Sequence, residues 1–171
     1  MTWLSAKGFE PWLLSQIEQG SRVVGICGGF QMLGQQIIDP DGVESSALSV
    51  SGLGLLPVET RLAREKTTRV VTARTPSGIE FQAYEIHMGV TTGTDSRDPF
   101  AIVEGGRVDG FRTPRVVGTY LHGALENKAV LEELLETALP DAGATKDSQY
   151  DRLADWFGTH VNNEVFAREY L

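Results

Sequence analysis

Residues 23–34 read VVGICGGFQMLG, and the reading of that stretch decides the fold. Val23, Val24 and Ile26 make a brief β-branched strand that ends at Cys27, and helical spacing follows through Met32, Leu33 and Ile37. A strand, a tight turn and a helix with one nucleophilic atom at the turn is the nucleophile elbow, here with sulfur in place of a hydroxyl. Such a strained turn needs small neighbours two positions on either side, and Gly25 and Gly29 stand there. A thiol at this bend projects from the sheet at a helix N-terminus, where partial positive charge favours the thiolate. The backbone N–H of Gly28, immediately after it, is placed to bind a developing oxyanion. The other reading of Cys27 is a small buried hydrophobe closing a core strand. Four glycines, at 25, 28, 29 and 34, weigh against that, since each weakens strand and helix alike.

Outward from this centre, Phe9, Leu13 and Ile17 recur every four residues, so the chain enters through a short helix stopped near Gly20. The helix after Cys27 is expected to run on through Ile37, and DPDG at 39–42 reads as a turn. Short strand-like pieces follow at 58–63, 68–74, 79–87 and 100–103, with another at 116–121. A helix is expected over 127–139, and one last helix over 147–170 with a seam of Tyr150, Leu153, Phe157, Val161 and Val165. Helices alternating with strands at both ends, around a β-rich middle, predict an α/β layered fold whose active centre lies at strand C-termini.

The 171 residues suit one domain, and 41% hydrophobic with 22% charged residues is the composition of an ordinary globular chain. A formal charge of -8, with no Lys/Arg cluster, argues against nucleic acid and anionic membrane as partners. No apolar run approaches the roughly 18 residues of a spanning helix, and no export signal opens the chain. A single cysteine excludes an internal disulfide and a multi-thiolate metal site and fits a reducing compartment, so the expected location is the cytoplasm.

A thiolate nucleophile needs a proton shuttle, and the chain has three histidines, His87, His122 and His160. His122 closes the strand-like VVGTYLH and is followed by Gly123, so its imidazole is expected at the same sheet edge as Cys27. His87 closes QAYEIH and reads either as a contact for the substrate or as a structural strand end. His160 sits on the last helix and reads as helix surface or helix packing. His87, His122 and Glu85 match no metal-ligand spacing, so no metal site is expected.

GICGGFQMLG, DPDGVES, YEIHMG and GTYLHG, in that order, resemble the class I (triad-type) glutamine amidotransferases, whose pattern G-x-C-x-G-x-Q is met by Gly25, Cys27, Gly29 and Gln31. DPDGVES and YEIHMG narrow the resemblance to the cobyric acid synthase branch, over about residues 3–170. The resemblance implies a flavodoxin-like layered sheet and L-glutamine as substrate, with Cys27 as nucleophile and His122 as proton shuttle. It implies that Gln31, Gly28 and His87 contact the glutamine. It further implies that residues 1–171 are an amidotransferase domain truncated before its first strand. It implies too an ATP-dependent synthetase domain that normally shares the chain and uses ATP and Mg2+ to amidate adenosylcobyrinic acid a,c-diamide, and that is not expected within these residues; no cofactor is expected in the chain itself. No G-x-x-x-x-G-K-[ST] phosphate loop occurs in it. The triad glutamate often found two residues beyond the histidine is here Ala124; Glu85 and Glu126 are the candidate substitutes, each readable also as a solvated charge. A catalytically silent lobe that regulates a synthetase, or a cysteine hydrolase or redox sensor of similar architecture, are the competing readings.

Overall fold

The computed structural model describes residues 1–93, 98–140 and 146–170, and the chain divides into one unit over Met1–Thr137 and another over Ala138–Leu171. In the first unit α1 (Thr2–Ala6) and α2 (Phe9–Glu18) precede β1 (Val23–Ile26), and α3 (Gly28–Leu33) follows β1 directly. Then come β2 (Gln36–Ile38), β3 (Ser49–Ser51), β4 (Val58–Arg74), β5 (Glu80–Gly93), β6 (Ala101–Val103), β7 (Arg107–Asp109), β8 (Phe111–Arg112), β9 (Val116–Thr119) and α4 (Lys128–Leu135).

The architecture is α/β, as expected, with two sheets in this unit. The smaller has the order β1-β9-β8, with β1 and β9 parallel and Ile26 opposite Thr119. β9 is buried at every position, and successive residues serve opposite faces. Val116 packs with Leu13, Phe30 and Leu33 on one side, while Val117 packs with Leu121, Val130 and Leu134 on the other. Helices on both faces are what a parallel pair requires, because both of its faces must be covered. Gly118 makes this layering close. The Phe30 ring lies against it, and a Cβ at 118 would fall within that ring.

The larger sheet runs β3-β2-β4-β6-β7, with β5 paired antiparallel to β4 over nearly its whole length. The pieces expected at 58–63 and 68–74 are therefore one strand, interrupted by an irregularity between Leu62 and Thr67. α3 is shorter than expected. It stops at Leu33, and Gln36–Ile38 is a strand parallel to β4. Gly34 is extended where a helix would continue, and a Cβ there would come within 2.7 Å of the Val58 carbonyl oxygen. The two isoleucines then take the pleated pairing that β-branched side chains favour. Asp39 anchors the expected turn: its carboxylate accepts the N–H groups of Val43, Glu44 and Ser45 at 2.7–3.0 Å. Those donors, Glu44 foremost, hold its carboxyl below the ordinary value.

α4 ends at Leu135, four residues short of expectation, where Glu136 adopts a left-handed backbone. In the second unit the expected single helix is two, α5 (Lys146–His160) and α6 (Asn163–Tyr170). Asn162 accepts the Val165 N–H and starts α6 as an N-cap, so the seam is broken, and Phe157 meets Phe166 edge-on across the break. No helix among the described residues is long and apolar enough to cross a membrane.

Candidate active site

Cys27 adopts φ 54°, ψ -114°, a left-handed conformation costly for any residue with a Cβ. The pairing of β1 with β9 sets it up. The Cys27 N–H still donates to the Thr119 carbonyl at 2.9 Å, and its own carbonyl already accepts the Gln31 N–H at 3.1 Å. One residue thus serves as the last rung of a strand and the cap of a helix. Gly25 makes the reversal possible, because a Cβ there would come within 2.7 Å of the Gly29 carbonyl and 2.5 Å of Leu33 Cδ1. A Cβ on Gly28 or Gly29 would meet nothing within 4 Å. Cys27 is half-buried rather than packed in the core, and its thiol donates to the Ile86 carbonyl at 3.4 Å.

His122 lies three residues beyond β9. It exchanges both backbone hydrogen bonds with Tyr84: its N–H donates at 2.9 Å and its carbonyl accepts at 3.1 Å. This bridge joins the two sheets. The imidazole stacks on the Tyr84 ring, with centroids 5.1 Å apart and planes within 10°. Its Nε2 is buried and has no hydrogen-bond partner. Cys27 and His122 therefore meet the same edge of β5, at Ile86 and Tyr84. Carbonyls two residues apart on a strand point the same way, roughly 7 Å along the chain. A thiol and an imidazole brought to one strand edge beyond the C-terminal ends of a parallel pair are the two groups that nucleophilic acyl transfer uses.

Gln31 is turned inward. It is buried, and its Nε2 donates to the Tyr120 hydroxyl at 3.3 Å, which in turn bonds Thr91 at 2.6 Å. Gly89 leaves the room for it, since a Cβ there would approach Gln31 Nε2 to 2.7 Å. His87 packs flat on Tyr120 at 3.9 Å, and its Nδ1–H donates to the Gly89 carbonyl at 2.8 Å. That carbonyl can only accept, so Nδ1 is a donor there, and Nε2 lies 3.7 Å from Glu85 Oε1. A cavity of about 340 Å³ opens beside it, lined by Arg69, Glu85, Arg107, Asp109 and Tyr120 among others, and neither Cys27 nor His122 lines it.

Glu85 is fully buried, not the solvated charge its strand position suggests. Oε2 pairs with Arg69 at 2.6 Å and Arg107 at 2.7 Å, so Glu85 serves the arginines and not His122. Glu126 is exposed. Asp109, missed in the sequence, is buried under the hydroxyl of Thr119 and the N–H of Tyr120. Burial pushes its carboxyl up to about 6, against the pull of those donors. His160, in the second unit, hydrogen-bonds the Trp156 carbonyl at 2.8 Å and stacks on that ring, a helix-surface role as expected.

Comparison with known proteins matches residues 1–130 to the CobB/CobQ-like glutamine amidotransferase domain. The chain belongs to that family. Similar proteins include the cobyric acid synthases of Hyphomonas neptunium and Novosphingobium aromaticivorans, each 40% identical over 97% and 96% of this chain. The cobyric acid synthase of Jannaschia is 45% identical over 75% of it. The chain spans 35% of the length of the first two relatives and 27% of the third. A crystal structure described as that of a glutamine amidotransferase has a TM-score of 0.59 over 78% of this chain and 69% of its own, at 20% identity. That likeness speaks for the fold and agrees with the flavodoxin-like layering expected.

Proposed function

We propose that the chain is the glutamine-hydrolysing, ammonia-donating part of a cobyric acid synthase. The observation that carries the reading is the strained backbone of Cys27 at the end of β1, with His122 on the same edge of β5. The Cys27 thiolate attacks the side-chain amide carbon of L-glutamine, its proton passing to His122, and a tetrahedral oxyanion forms within reach of the Gly28 N–H. This N–H is one of the first-turn donors a helix leaves without an internal partner. His122 returns the proton to the departing nitrogen, the C–N bond breaks, and ammonia leaves a glutamyl thioester. Water, deprotonated by the same imidazole, then cleaves the C–S bond and frees glutamate.

Gln31 spends one amide N–H on Tyr120; its remaining polar atoms are offered to the α-amino and α-carboxylate groups of glutamine. His87 and Tyr120 form the floor beneath it. The ammonia goes to an ATP- and Mg2+-dependent synthetase that amidates adenosylcobyrinic acid a,c-diamide, in a cytoplasmic pathway. The relatives' name and their greater length support this placement.

Mass spectrometry after incubation with a chloroketone analogue of glutamine tests the reading. One adduct is expected, on Cys27, absent from Cys27→Ala and suppressed by L-glutamine. An adduct on another residue, or capture indifferent to glutamine, overturns it. His122→Ala should slow glutamine turnover by about 10² to 10⁴.

A further inference from the structure

We propose that Tyr84 is the positioning residue of His122, replacing with its ring the carboxylate that holds the imidazole in an acid-histidine-nucleophile triad; the proposal rests on the reading of His122 as the proton shuttle. A histidine ring turns about a broad, two-fold torsion, so it needs an external constraint to present one nitrogen to the nucleophile. The usual constraint is a carboxylate accepting one ring N–H. Here the position two residues past the histidine is Ala124, fully buried. Among the described residues the buried carboxylates are directed elsewhere: Asp39 to three backbone N–H groups, Glu85 through Oε2 to two arginines, Asp109 to Thr119 and Tyr120.

Tyr84 supplies a different constraint. Its two backbone hydrogen bonds fix the Cα of His122 against β5, and its ring lies parallel to the imidazole at 5.1 Å. Rotation of the imidazole out of that plane would collide with the tyrosine face. Gly123, next in the chain, has φ 83°, a backbone that glycine takes without strain, and so lets the chain turn away directly after the stacked ring. Packing into the core does not account for the tyrosine. It is 43% exposed, and its cross-strand neighbour Val70 and same-face neighbour Ile86 are exposed as well. The imidazole is the one aromatic ring that the Tyr84 ring is seen to stack on among the described residues.

The constraint comes from the face of the ring, so the hydroxyl is dispensable and Phe is the rescuing variant. Steady-state glutaminase kinetics of the full-length protein test this, with Tyr84→Phe, Tyr84→Leu and Tyr84→Val beside His122→Ala. Tyr84→Leu should lose kcat by about ten- to a hundredfold, part of the contribution of a positioned acid-base group, with KM within about twofold. Tyr84→Phe should restore kcat to within about twofold of the parent. Tyr84→Val, β-branched and suited to the strand, should behave as Leu does, and a far-UV circular dichroism spectrum and Tm close to the parent's in each Tyr84 variant show that the fold is intact. An undiminished kcat in Leu and Val, or a Phe variant as slow as Leu, overturns the proposal. A parent protein without glutaminase activity, or His122→Ala at full rate, instead overturns the reading on which it rests.

Discussion

Gly25 and Gly29 stand symmetrically about Cys27 in the sequence, yet the structure assigns them opposite costs on gaining a methyl group. An alanine Cβ at 25 would lie 2.7 Å from the carbonyl carbon and oxygen of Gly29 and 2.5 Å from Leu33 Cδ1. Leu33 can shift its side-chain end. The first turn of α3 cannot yield without moving Cys27, which caps it. Contacts roughly 0.7 Å inside ordinary van der Waals distance put Gly25→Ala at the upper end of overpacking, about 2–3 kcal/mol. For a chain of this size that lowers Tm by about 4–12 °C. Gly29→Ala meets nothing within 4 Å and removes a glycine from a helix, so it should raise stability by about 0.5–1 kcal/mol. Calorimetry of both variants supplies the comparison, and the rate of Cys27 capture by the glutamine chloroketone adds the functional half. Gly25→Ala should lose stability and labelling together. Equal Tm shifts of one sign, or a Gly25→Ala protein labelled at the parent rate, would refute the steric account of the elbow.

Two further outcomes follow from the same coordinates. Cys27→Gly should be more stable than Cys27→Ala by about 1 kcal/mol, because alanine keeps the Cβ that the left-handed backbone penalises; urea midpoints measure this, and an Ala variant as stable as Gly would mean that residue 27 is unstrained. Asp109, with its carboxyl at about 6 in the folded chain against 3.8 as the ordinary value, keeps its proton longer folded than unfolded. Stability from this group is therefore full below about pH 4, falls by about 3 kcal/mol as pH rises to about 6, and is flat above. Asp109→Asn should lack that descent, so the difference in unfolding free energy between parent and variant, taken from pH 4 to 7, should show it; parallel profiles would exclude the buried, proton-retaining carboxyl.

The parts of the site that could be read from the sequence are those whose cause is local. Gly25, Cys27 and the β-branched run before them specify a bend within five residues, and His122 follows by three residues the strand that opens VVGTYLH. The expected helix through Ile37 failed at Gly34, where the deciding contact is the Val58 carbonyl, 24 positions away. Glu85 looked like a solvated charge because the guanidinium groups that let it be buried come from Arg69 on the paired strand and Arg107 on a third. Tyr84 carried no signal at all, since its neighbours on β4 and β5 are exposed apolar residues and its ring partner is 38 positions on. Spacing along one strand reports which face a side chain takes. The placement of His122 comes from the strand alongside, β5, whose edge accepts the Cys27 thiol at Ile86 and pairs with the His122 backbone at Tyr84. The proposed reactive geometry thus depends on one long hairpin, and a one-residue slip of β5 against β4 would exchange the faces of Tyr84 and Glu85 and separate the imidazole from the tyrosine ring.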